Sequence, residues 1–74
     1  MNAEVARILR EERERRGLSV NVLSQRAGLS RTMISYVERE DRHPTLDTLV
    51  RITEALEIDI AEVIRRAARV ARDA

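Results

Sequence analysis

Gly28 divides residues 19–39 into two short helical runs, each opened by a serine, and no other stretch constrains the fold as strongly. Ser19 precedes the first run and Ser30 the second, and a serine hydroxyl accepts from the unpaired N–H groups of a helix's first turn. A chain that turns sharply between two helices needs a residue that tolerates positive φ, which is the place of Gly28.

At about 100° per residue the second run separates into two faces. Met33, Ile34 and Val37 gather on one side, and Arg31, Thr32, Ser35, Tyr36 and Arg39 on the other. The first set reads as core. The outward set holds two arginines, two small hydroxyl residues and the only aromatic side chain of the chain, with no acid among them. Arginine forks onto guanine, hydroxyls donate or accept, and tyrosine stacks or donates, so the inventory suits base edges and phosphates. A merely solvated face is the rival reading. The preceding helix and turn weigh against it, because together they make a helix-turn-helix with residues 31–39 as its reading helix.

A chain of 74 residues is read as one domain, 1–74, with a small core and little stability to spare. Dimerisation is the expected supplement. With no cysteine there is no disulfide framework or thiolate metal site, and a lone histidine builds no metal site by itself. No apolar run approaches a membrane span and the N-terminus lacks a signal-peptide core, so the expected location is the cytoplasm. The net charge of +1 is small for a nucleic-acid binder, but it is unevenly spread. Residues 13–43 hold seven arginines against four acids, while residues 1–12 and 44–74 are each at −1. The positive charge surrounds the proposed reading helix, where phosphates would need it.

Taken in order, residues 3–16 form a first helix with Asn2 as N-cap and Val5, Ile8 and Leu9 as its apolar stripe. Continuing the stripe brings Glu12, Arg13 or Arg16 beside the core, and periodicity does not choose among them. Gly17 closes this helix and Leu18 returns toward the core. After the loop at residues 40–44, a helix over 45–57 carries Leu46, Leu49, Ile52 and Leu56 on one face, with Thr45 as N-cap and Asp47 in the first turn. The last helix, about 60–72, opens on Asp59 and Glu62 as an aspartate version of the capping box. Its stripe of Ile60, Val63, Ile64, Ala67, Val70 and Ala71 is longer than so small a core requires. Val63 and Ile64 are expected to complete the monomer, while Ile60, Ile64, Ala67, Ala68 and Ala71 form a two-fold contact with a second copy. A fraying helix end is the alternative. With no strand-like alternation, the fold class is all-α, a compact domain of five helices.

Residues 5–64 resemble the phage-repressor or XRE family of helix-turn-helix regulators. The resemblance is carried by Arg16-Gly-Leu-Ser19, Leu23-Ser-Gln-Arg-Ala-Gly-Leu-Ser30, Ile34-Ser-Tyr-Val-Glu38, Pro44-Thr-Leu-Asp-Thr-Leu49 and Ile52-Thr-Glu-Ala-Leu56. It implies a lambda repressor-like arrangement in which the helix from Arg31 enters the major groove of double-stranded operator DNA. Arg31, Thr32, Ser35 and Tyr36 would then lie nearest the bases. It also implies phosphate contacts by Ser19 and Asn21 at the start of the preceding helix, and by Arg39, Arg42 and His43 in the loop that follows. In several relatives an arginine of the first helix pairs with the glutamate that ends the reading helix, here Arg13 and Glu38. The chain departs from the family at Val20, where glutamine is usual, and at Glu40 and Glu57, where glycines are common. If those two positions keep positive φ, each costs something like 1 kcal/mol.

The function expected on these grounds is a sequence-specific DNA-binding regulator, a repressor or controller protein, acting as a homodimer. An antitoxin that chiefly binds a toxin protein and represses its own operon is the alternative. No catalytic residue, cofactor, metal or small-molecule ligand is expected. His43 lacks a nucleophile at recognisable spacing, and no glycine-rich phosphate loop is present.

Overall fold

The computed structural model describes residues 2–73, and among them five α-helices and no strand. They are α1 (Asn2–Arg15), α2 (Val20–Ala27), α3 (Arg31–Glu38), α4 (Leu46–Ala55) and α5 (Ile60–Asp73). Three helices begin as the residue types dictate. Ser19, Ser30 and Thr45 stand in extended conformation, and their side-chain oxygens accept from Val22 N at 3.0 Å, Met33 N at 3.0 Å and Thr48 N at 3.1 Å. Each cap satisfies one of the amides that a helix leaves open at its start.

All four helix ends that face a turn close in the same way. A residue at positive φ, Gly17 (+69°), Gly28 (+68°), Glu40 (+63°) or Glu57 (+57°), reverses the chain. The next amide then reaches back five residues: Leu18 to Arg13 O, Leu29 to Ser24 O, Asp41 to Tyr36 O and Ile58 to Thr53 O, at 2.9–3.1 Å. This is the Schellman closure, which caps the last carbonyls of a helix. Glutamate meets the same demand as glycine at two of these sites, and its Cβ crowds the following carbonyl there. Replacing Glu57 by glycine removes that penalty of ~1–2 kcal/mol but frees the unfolded chain by ~0.5–1 kcal/mol. A melting temperature raised by a few degrees is the expected result. An unchanged or lower value would count against strain at this turn. The charge lost matters little, since Glu57 is 81% exposed and stands 4.0 Å from Arg16.

One core joins the helices. Ile8 and Leu9 of α1, Leu23 of α2, Ile34 and Val37 of α3, Leu49 and Ile52 of α4, Leu56, and Val63 and Ala67 of α5 are all buried. α1 lies against α5 and α3, α2 against α3 and α4, and α4 against α5. Leu18 and Met33 pack on the rim of this cluster.

Four expectations are corrected. Asn2 lies inside α1 rather than before it, and its amide nitrogen stands 3.4 Å from His43 Nδ1. Leu46 is 74% exposed, because it occupies the first helical position just beyond the Thr45 cap while the buried face starts at Thr48 and Leu49. In α5 the inner pair is Val63 and Ala67, whereas Ile64 is 36% exposed. Ala67 is therefore a core residue and is closed to a second chain. The capping box is half made: Asp59 accepts from Ala61 N at 2.9 Å, but Glu62 turns to Arg65 at 2.9 Å.

The sequence left open which charged residue of α1 enters the core, and two do. Glu12 is buried, with Oε2 accepting from Arg15 at 2.5 Å and Oε1 from Arg66 of α5 at 3.5 Å. The hydrogen bond from Arg15 outweighs burial and holds the Glu12 carboxyl below its usual range. Arg13 is half-buried between α1 and the end of α3. Three hydroxyl residues are also buried without any polar signal in the periodicity to announce them. Thr53 donates to Leu49 O or Val50 O and Ser24 to Asn21 O, while the Thr48 hydroxyl accepts from Thr45.

Candidate nucleic-acid interface

The two short helices are joined by only Gly28, Leu29 and Ser30, so α3 starts where α2 has barely ended. Their buried residues, Leu23 and Ala27 in α2 and Ile34 and Val37 in α3, turn one side of the pair inward. What remains outside is the face that periodicity assigned to a ligand. Arg31 and Thr32 are exposed, and Ser35 and Tyr36 are half-buried. These four, with Arg39, line a shallow open concavity whose other wall is the start of α2, at Ser19, Val20 and Asn21.

Seven of the nine residues named for base or phosphate contact thus share one surface. Arg42 joins it through Tyr36: its guanidinium lies 5.1 Å from the ring centroid, and that of Arg39 lies 5.8 Å away. Each such stacking is worth ~0.5–1 kcal/mol at an exposed site, enough to bias the ring's position. His43 stands apart from the concavity, exposed, beside Asn2. Ser19 is occupied as a cap acceptor but keeps its hydroxyl hydrogen, so it can still donate to a phosphate oxygen. Arg39 is held 3.1 Å from Asp41, and both side chains are more than half exposed. A phosphate can displace that carboxylate at little cost, since exposed pairs contribute little.

Behind the surface, α3 is tied to α1. Arg13 Nε donates to Glu38 Oε2 at 2.7 Å and Nη2 to Oε1 at 3.0 Å, while Nη1 donates to Leu18 O at 2.8 Å. The two side chains are only 13% and 8% exposed. The hydrogen bonds that Arg13 donates to the Glu38 carboxylate raise its already high pKa, so the guanidinium stays charged in its half-buried place. One arginine thereby fixes the end of α3, the end of α1 and the turn into α2.

Among the residues named for a second contact, Ile60 and Ala68 are half-buried and Ile64 and Ala71 exposed. At four- and three-residue intervals they follow one line along α5, beside the buried line of Val63 and Ala67. Sequence reasoning passed over Val20, which lines the concavity, and Asp41, which pairs with Arg39. Val20 was seen only as a departure from a family pattern, and Asp41 only as a local acid. Val20 stood one place inside a serine cap, which is a readable signal. The Arg39–Asp41 pair depends on the turn at Glu40 and had none.

Among the described residues no helix is long and apolar enough to cross a membrane, and no group of three or more potential metal ligands occurs. Comparison with known proteins places the geometry in context. The Helix-turn-helix family profile matches residues 9–63. The control protein C.SmaI of Serratia marcescens is 36% identical over 62 residues, 84% of this chain and 74% of that one. The chain spans only 40% and 18% of two longer curated transcriptional regulators that it also matches. In the crystal structure of the restriction-modification controller protein C.AhdI from Aeromonas hydrophila, 94% of that chain superposes on 84% of this one. The TM-score is 0.80 and the identity 32%. A variant of C.Esp1396I bound to its highest-affinity operator site gives a TM-score of 0.82 at 25% identity, covering 92% of this chain and 90% of that one. The chain belongs to the XRE-type helix-turn-helix family, with transcriptional regulators and restriction-modification controller proteins among its relatives.

Proposed function

We propose that the protein is a sequence-specific, DNA-binding transcriptional regulator of the controller type, acting as a homodimer on an operator. The observation that carries this reading is that Arg31, Thr32, Ser35 and Tyr36 line one open concavity beside the start of α2, the first two exposed and the last two half-buried. An α-helix fits the major groove, where those four side chains find base-edge acceptors, donors and methyl groups. Ser19, Asn21, Arg39 and Arg42 flank them and serve phosphates, and His43 adds a more distant contact. A DNA partner is consistent with a cytoplasmic location, and the activity proposed is binding rather than catalysis.

The second copy is assigned to the line of Ile60, Ile64, Ala68 and Ala71 on α5, where small side chains let two helices approach. Ala67 is excluded because it is buried in its own monomer. The names of the relatives favour a controller over the antitoxin alternative.

Selection of bound duplexes from a random pool tests the reading. A pool that converges on two inverted half-sites, centred about 10 base pairs or one helical turn apart, is expected for paired reading helices. No convergence, or a single site without a repeat, would refute the dimeric reader.

A further inference from the structure

Among the described residues, Val20 is the only purely aliphatic side chain on the concavity between α2 and α3. It is half-buried: it packs against the core cluster and also borders the space in front of Thr32 and Ser35. A valine has nothing to donate or accept, so it gains nothing from a phosphate oxygen or from the polar atoms of a base. Pressed against such atoms it would strip them of water without replacing their hydrogen bonds. The major-groove edge of DNA offers one apolar group, the C5-methyl of thymine. A 5-methylcytosine carries the same methyl on the same ring carbon.

We propose that Val20 is a specificity-determining residue that packs on the C5-methyl group of a pyrimidine in each half-site. The proposal rests on the DNA-reading function above and adds a position to it. Arg31, Thr32, Ser35 and Tyr36 read along α3, whereas Val20 reads from α2. Val20 and Thr32 line the same concavity, and Ser19 and Ser35 line it with them.

The test uses the full chain and the duplex enriched from the random pool. Each thymine of a half-site is replaced singly by deoxyuridine, which removes the methyl and leaves every hydrogen-bonding atom. Each cytosine is replaced singly by 5-methylcytosine, which adds the methyl alone. At one position per half-site the methylated base is expected to bind about fourfold tighter, the value of one buried methyl-sized group. A gain between thymine and uracil identifies thymine as the source, and a gain between the two cytosines identifies the modified base. In Val20→Ala that factor should fall to about one. Because the readout is a ratio between two duplexes on the same protein, any loss of stability in the variant cancels. Equal binding throughout by the wild-type chain overturns the proposal, as does a factor that survives in Val20→Ala, where another side chain must read the methyl. If the pool enriches no duplex, the DNA-reading function fails with it, an outcome distinct from a bound operator blind to the methyl.

Discussion

Replacing Glu38 by alanine is expected to cost about 3 kcal/mol of stability. The change leaves the Arg13 guanidinium in a half-buried place, with Leu18 O as its remaining strong acceptor. For so short a chain that corresponds to a melting temperature lower by roughly 10–20 °C, read by thermal or urea unfolding. Arg13→Ala should be at least as damaging, since it also releases the Leu18 carbonyl and the turn it holds. The double variant Arg13→Met with Glu38→Leu should be milder than either single change, because no uncompensated charge remains. Single variants within 1 kcal/mol of the wild type would sink this account of the pair, as would a double variant worse than the sum of the two.

The second large effect concerns choice between sequences. Arg31→Ala should relax selection at one base position per half-site, with ~1–3 kcal/mol of discrimination lost there and little change on unrelated DNA. Arg42→Ala should weaken all sequences by a similar factor and flatten the salt dependence by about one phosphate contact. Titrations on the enriched duplex and on a scrambled one, at two salt concentrations, separate the outcomes. If both substitutions lower binding to both duplexes equally, the division between base reading and phosphate anchoring is wrong.

Local chemistry made the helix boundaries legible. Ser19, Ser30, Thr45 and Gly28 act on amides and carbonyls within five residues, so their effect is complete in the sequence around them. The outward face of α3 was legible for a related reason: eight residues at a fixed angular step leave little freedom once Ile34 and Val37 are inside. Where packing decides, periodicity went too far. It gives a helix a wet and a dry side but not the place where the neighbouring helix stops. That limit exposed Leu46 and pulled Ala67 inward instead of Ile64. The pairing of Arg13 with Glu38 spans 25 residues and came from family resemblance. Burial of Glu12 against Arg66 spans 54 and was foreseen only as one of three options. The place of Val20 on the concavity went unread because it depends on the wall that α3 builds opposite it.

Tyr36 is the sole aromatic side chain of the chain, and there is no tryptophan. Its ring has the guanidinium groups of Arg39 and Arg42 at 5.8 and 5.1 Å from its centroid, at the concavity between α2 and α3. The ultraviolet emission of the unlabelled protein therefore originates from one address. A duplex that docks on this proposed surface is expected to rearrange both neighbouring cations and so to change the phenol fluorescence without any dye, whereas distant parts of the fold stay spectroscopically dark.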